Sequence, residues 1–249
     1  EQLEHPVPTS ADIDYVLAHA NEVLDTPLTR DDIIGTYAGL RPLLQPKVLD
    51  ESKSTKVSRE HTVTEVIPGM VAIAGGKLTT YRVMAEDAVD FALGAAEAKA
   101  RPSVTFDLPL LGADGFEASV NQAERWGKKY GFDADRMHHL VRRYGSELPE
   151  LLAAIDEDPT LARPLATAPQ FIRAEVQRAC AVEGALHLED IFIARVRLNS
   201  EAPDRGGSEV DEIADIAAAA LGWDKETTDK EKANYRERIA AELAAQQEA

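Results

Sequence analysis

The chain has 249 residues and a formal net charge of -17, with 44% apolar side chains and one cysteine. That length supports one large or two modest domains with a sizeable core. The acidic balance argues against sequence-independent nucleic-acid binding and against general adhesion to anionic lipid. A lone cysteine excludes a disulfide framework or cysteine metal site within one chain and suits a reducing compartment.

No segment reaches the apolar length of a membrane span, and the acidic N-terminus has no signal-peptide core. A cytoplasmic location is expected. The chain opens on Glu1 rather than Met, so it is read as a fragment or a processed chain.

In chain order, residues 1–9 are irregular, with Pro6 and Pro8. Ser10 is a candidate N-cap for a helix to Leu24, whose Ile13, Val16 and Leu17 share one face. Ile33–Arg41 reads as a strand interrupted by Gly35 and Gly39 and closed by Pro42. Residues 45–56 read as a solvated loop. Val57–Ile67, rich in β-branched residues, pairs across the turn dipeptide Pro68-Gly69 with Met70–Ala74. Helical spacing then runs from Leu78 to about Ala98.

Residues 99–115 carry Pro102, Pro109, Gly112 and Gly115 and mark a domain boundary. Beyond them, helices are expected over Phe116–Tyr130, Ala134–Tyr144, Leu148–Ile155, Pro169–Gly184, Leu188–Ala194, Ser208–Leu221 and Lys225–Gln247. Gly131, Gly145, Gly184 and Gly222 are candidate C-caps. The expected class is α+β, with an α+β portion over 1–100 and an all-α portion over 104–249.

The chemistry concentrates in Gly75-Gly76-Lys77-Leu78-Thr79-Thr80, where a short apolar strand meets a helix. Adjacent glycines at such a junction allow close approach to the backbone, and helix-opening N–H groups can face an electron-rich ligand. A plain structural turn fits these six residues equally well. Arg41 and Arg59 stand at strand ends around this turn in sequence. Converging on a pocket they would suit phosphate or carboxylate, and apart they are ordinary surface arginines.

His61 could accept a proton but has no catalytic partner at a recognisable spacing. His138-His139 lacks metal-ligand spacing, because neighbours on a helix point apart. Cys180 reads as a core residue. Glu175, Glu183, Arg195 and Arg197 read as helix-pairing charges. No P-loop, zinc signature, Gly-x-Ser-x-Gly or Gly-x-Gly-x-x-Gly is present.

Leu28–Leu43, Ser58-Arg-Glu-His-Thr-Val63 and Pro68–Ala88, in that order and spacing, resemble the FAD-dependent, quinone-linked glycerol-3-phosphate dehydrogenases. Arg143–Glu147, Ile172–Val176, Leu188–Leu198 and Leu221–Asp224 extend the resemblance over nearly the whole chain. The family pattern implies the C-terminal remainder of a D-amino-acid-oxidase-like flavin domain followed by an all-α helical domain. It implies FAD as cofactor, glycerol 3-phosphate as substrate and a membrane quinone as electron acceptor. Peripheral attachment to the membrane and a homodimer are left open.

By that resemblance Arg41, Arg59 and Lys77 bind the substrate anion, and Gly75, Gly76, Lys77, Leu78 and Thr79 contact the flavin. It implies that hydride leaves C2 of the substrate for flavin N5 while Lys77 and the helix N–H groups stabilise charge at the far edge of the ring. The family's proton acceptor lies upstream of this chain, so no catalytic base is assigned, and the chain alone is expected to be inactive. Val182 and Ala194 depart from the family's usual His and Arg. A related FAD amine or amino-acid oxidase and a non-catalytic helical interaction module are the competing readings.

Overall fold

The structure, a computed structural model, describes residues 5–40 and 60–247. Two compact units emerge, one comprising residues 1–38 and 110–249 and the other residues 39–109. The first unit thus includes the N-terminal segment, in addition to the helical half expected over 104–249.

Helix α1 (Ser10–Asn21) starts at the residue expected to cap it, because Thr9 takes the cap position. Asp12 N–H donates to Thr9 Oγ1 at 3.3 Å, and Thr9 N–H donates to Asp12 Oδ2 at 2.9 Å. This reciprocal box satisfies two donors that the helix leaves open. Arg30 binds back to α1, donating from Nη2 to Asp14 Oδ1 at 2.6 Å and to Ser10 Oγ at 2.7 Å.

The strand expected over Ile33–Arg41 does not form: residues 33–40 have no regular structure, and Arg41 lies outside the described residues. Gly35 explains the difference. A Cβ there would collide with the Ser200 backbone, so the chain at Gly35 passes close against Ser200 instead of pairing with a strand. Thr36 Oγ1 holds it there, accepting from Arg205 Nη2 and from Gln246 Nε2, each at 3.0 Å.

The rest of this unit is helical. In α4 (Phe116–Tyr130) and α5 (Ala134–Tyr144) the bounds match the expectation, since local signals end them. Asp133 accepts from Arg136 N–H at 2.8 Å, and Gly131 stops α4 at φ +73°. Met137, Leu140, Val141 and Tyr144 recur at helical spacing on α5 and are buried. With Leu148, Leu151, Leu152 and Ile155 of α6 (Leu148–Glu157) they form one core cluster.

A second cluster centres on Phe171, Phe192, Ile213 and Tyr235, where Phe192 stacks on Tyr235 at 4.2 Å between ring centroids. It is built by α7 (Arg173–Ala181), α8 (Leu198–Glu201), α9 (Val210–Leu221) and α10 (Lys225–Ala245) together with the wide turn Asp190–Arg195. Helix α7 begins four residues after Pro169, once the Ile172 N–H reaches Glu175 Oε2 at 2.8 Å. Asp190–Arg195 is a π-helix rather than the expected α-helix, with Val196 N–H bonded to Ile191 O at 2.7 Å. Helix α10 is polar over most of its surface and buries only Thr228, Tyr235, Ile239 and Glu242, a narrow stripe.

In the other unit, β1 (Thr62–Ile67) and β2 (Met70–Ala74) form an antiparallel hairpin through Gly69, at φ +82°. The register pairs Thr62 with Ala74 and Val63 with Ile73, and shifts between Glu65 and Ile67. The expected strand residues 57–59, including Arg59, lie outside the described residues. The helix expected from Leu78 to Ala98 is broken into a single 3-10 turn (Leu78–Thr80), α2 (Tyr81–Leu93) and α3 (Ala95–Ala100). Gly94, at φ +79° and with no Cβ, breaks it.

Two outcomes test this packing. A Cβ on Gly145 (φ +52°) would drive into the Gly112 carbonyl, whereas one on Gly131 (φ +73°) meets open space. Gly145→Ala is therefore expected to cost about 2–5 kcal/mol in urea unfolding and Gly131→Ala only about 1–2 kcal/mol. Cys180 is buried, and burial pushes its thiol up to about 11. The native protein should resist alkylation at pH 8 and react only on unfolding. Because the unfolded thiol ionises first, this group makes the fold lose stability as pH rises above the ordinary 9.0 towards 11.

Candidate functional site

Strand β2 ends where Gly75 and Gly76 enter the left-handed region, at φ +81° and +79°. L side chains rarely adopt such backbone, so two in succession need glycine. Lys77 returns to extended geometry (φ -134°, ψ 152°), and Leu78–Thr80 makes a 3-10 turn that leads into α2. Thr80 closes the corner: its N–H and its Oγ1 each donate to Lys77 O at 3.0 Å.

Gly76 is required by its backbone, and its surroundings are also close. A Cβ there would stand 2.5 Å from Met84 Sδ and 3.2 Å from His61 Cβ. The glycine pair is thus explained by backbone shape and by two neighbours, and what it offers a ligand is the group of donors beyond it. Lys77, Leu78 and Thr79 are exposed, and Leu78 and Thr79 carry helix-opening N–H groups with no carbonyl one turn back. Lys77 forms no ion pair with another described residue. These donors follow directly on the Lys77 ammonium in sequence.

The same turn borders an open cavity of about 630 Å³ lined by Glu60, His61, Gly76, Lys77, Thr80, Val83 and Asp87. Thr80, Val83 and Asp87 are spaced by three and four residues and share one helix face. His61 Nε2 lies 2.6 Å from Asp87 Oδ2. That pairing was not legible in the sequence, where the two residues stand 26 positions apart. Its signal is the strand–turn–helix return itself, which brings the start of β1 beside the second turn of α2.

The structure brings Gly75, Gly76, Lys77, Leu78 and Thr79 together in one turn. Arg41 and Arg59 lie outside the described residues, so their position relative to it is undescribed.

Other titratable groups serve the helical unit. Glu175 is 1% exposed and accepts from the Ile172 N–H, with His139 Nε2 at 2.9 Å, Tyr144 Oη at 3.2 Å and Arg143 Nε at 3.8 Å. These contacts join α7 to α5. Burial, the largest cause, and the nearby Glu175 charge both push the Tyr144 phenol well above its ordinary range. Glu183 pairs with Arg178 at 3.3 Å, Arg195 Nε donates to Glu183 O at 2.8 Å, and Arg197 faces Glu201 at 3.9 Å.

A larger cavity, about 990 Å³ between α4 and α5, is apolar at Val120, Phe132 and Met137 and rimmed by charges of both signs. Among the described residues no group of three or more His, Cys, Asp or Glu could hold a metal, and no helix is long and apolar enough to cross a membrane.

The family model for the C-terminal domain of alpha-glycerophosphate oxidase matches residues 103–228. Glycerol-3-phosphate dehydrogenase 2 of Mycobacterium tuberculosis is 50% identical over 98% of this chain and 41% of its own length. Glycerol-3-phosphate dehydrogenase of Mycobacterium leprae is 48% identical over the same shares. The X-ray structure of the glycerol-3-phosphate dehydrogenase from Bacillus halodurans complexed with FAD superimposes with a TM-score of 0.73 at 26% identity, covering 96% of this chain and 46% of that one. The chain therefore spans about two-fifths of the length of these curated relatives. The α+β class, a small sheet region followed by a helical domain, agrees with these matches. With half its residues matched by the family model, the chain belongs to the family of the alpha-glycerophosphate oxidase C-terminal domain.

Proposed function

We propose that this chain is part of an FAD-dependent enzyme that oxidises sn-glycerol 3-phosphate to dihydroxyacetone phosphate and passes the electrons to a membrane quinone. Residues 1–100 are the substrate- and flavin-contacting part of the flavin domain, and 104–249 the helical C-terminal domain. The observation that carries the reading is the turn Gly75–Thr79, whose donors fit the electron-rich edge of an isoalloxazine ring, in a chain half identical to named glycerol-3-phosphate dehydrogenases.

FAD, when bound, supplies the two-electron acceptor for hydride from C2 of the substrate. The chain's own residues do the rest. Leu78 and Thr79 N–H groups and the Lys77 ammonium hold fixed positive potential beside the acceptor, arranged before reaction, so little reorganisation is needed. Gly75 and Gly76 set the direction in which those donors point. Arg41 and Arg59 grip the phosphate by bidentate hydrogen bonds and so orient C2. Lys77 adds charge to that anion site. No residue of this chain is assigned the hydroxyl proton.

The 249-residue chain is inactive by itself, because it carries no dinucleotide fingerprint. The intact protein acts in the cytoplasm, with peripheral docking on a membrane and a homodimer left open. A second acceptor, dioxygen, is favoured by one observation, the oxidase in the description of the matching family model. Hydrogen peroxide released in stoichiometric amount with dihydroxyacetone phosphate would select it over quinone.

Replacing Arg41 or Arg59 by Met in the intact protein should lower kcat/KM for glycerol 3-phosphate by about 10- to 100-fold, the loss of one charge-assisted set of hydrogen bonds. A dye-coupled assay reads this. Activity with glycerol 3-phosphate that neither substitution changes would remove both arginines from the site.

A further inference from the structure

We infer that His61 and Asp87 are positioning residues that fix the Gly75–Thr79 turn in the shape that receives the flavin. The inference deepens the proposed function and rests on it.

Both ends of the turn are tethered. On the strand side, Thr62 pairs with Ala74, which puts His61 next to Gly75 by continuation of the register. On the helix side, His61 Nε2 reaches Asp87 Oδ2 at 2.6 Å, joining the start of β1 to α2. Between these tethers, Gly76 is enclosed by His61 Cβ and by Met84, which sits one turn before Asp87 on the same helix face. A turn with two consecutive left-handed residues has many accessible shapes when free, because glycine is the most permissive residue. Fixing its two ends and its middle removes that freedom before a ligand arrives, and preorganised donors bind more tightly than mobile ones.

The pair is placed to act on a ligand site. Both residues line the cavity that Lys77 and Gly76 border, and their side chains are 20% and 50% exposed, so neither belongs to a buried core. The hydrogen bond is short and joins an imidazole to a carboxylate, the stronger kind. Loss of either partner should free the helix to shift against the hairpin and let the Lys77 backbone wander.

The test uses the intact flavin-binding protein with His61→Ala, Asp87→Ala, the double substitution and the conservative Asp87→Asn, whose amide oxygen still accepts from an imidazole N–H. The readouts are the FAD dissociation constant of the apoprotein, the flavin visible spectrum, and kcat and KM apart. Each alanine variant should raise the FAD dissociation constant about tenfold, and the double variant no further than either single one. Asp87→Asn should restore binding to within about threefold of the parent. An unchanged FAD dissociation constant in both alanine variants would overturn the inference, even if the melting temperature fell. So would strictly additive effects in the double variant. Should the alanine variants fail to fold, His61→Phe, which keeps a ring and loses the hydrogen bond, decides the question by the same FAD measurement: a roughly tenfold weaker constant is expected, and an unchanged one overturns the inference. A parent protein that takes up no FAD needs no variant to interpret, and it removes the underlying reading of the site instead.

Discussion

Two adjacent glycines in left-handed backbone decide where β2 stops, where α2 begins, and which backbone donors face outward. At Gly75 and Gly76 any L side chain would be strained, and at Gly76 a Cβ would also strike Met84 and His61. The site is a consequence of that constraint. Once the chain turns through these residues, Lys77 is extended, Thr80 closes on the Lys77 carbonyl, and a new helix presents its opening N–H groups. The glycines answer first to local packing, and the ligand chemistry follows from the corner they make.

The helical unit is held by a different logic. Two apolar clusters carry its packing, and a few buried charges sit among several partners. Glu175 is the clearest case, with a backbone N–H, a histidine, a tyrosine and an arginine around one carboxylate. Removing a single partner would leave a buried charge underpaired, which costs more than the net worth of the contact. Arg205, almost fully buried near Glu242, ties residue 36 to the same unit. The N-terminal segment is therefore part of this unit's structure despite its distance in sequence.

What the sequence revealed follows the range of the interactions involved. Gly131 and Gly222 end their helices where expected, and Asp133 and Asp224 cap the helices expected from Ala134 and Lys225, because capping is decided within one turn. The hairpin across Gly69 was legible for the same reason. Ile33–Arg41 has strand-like composition, yet its described residues 33–40 are irregular because Gly35 and Thr36 answer to Ser200 and Arg205, far along the chain. The π-turn at Asp190–Arg195 escaped because apolar spacing does not distinguish it from an α-helix. In the site, Gly75 to Thr79 formed a readable block, whereas the His61–Asp87 bond appears only when strand and helix fold back on each other.

The central claim, a flavin bound at this turn and reduced by glycerol 3-phosphate, is tested most directly by the visible absorbance spectrum of the intact protein under anaerobic conditions. The account predicts a flavin band near the normal oxidised form that bleaches when glycerol 3-phosphate is added. A protein without a flavin band, or a band that this substrate leaves unchanged, would contradict it.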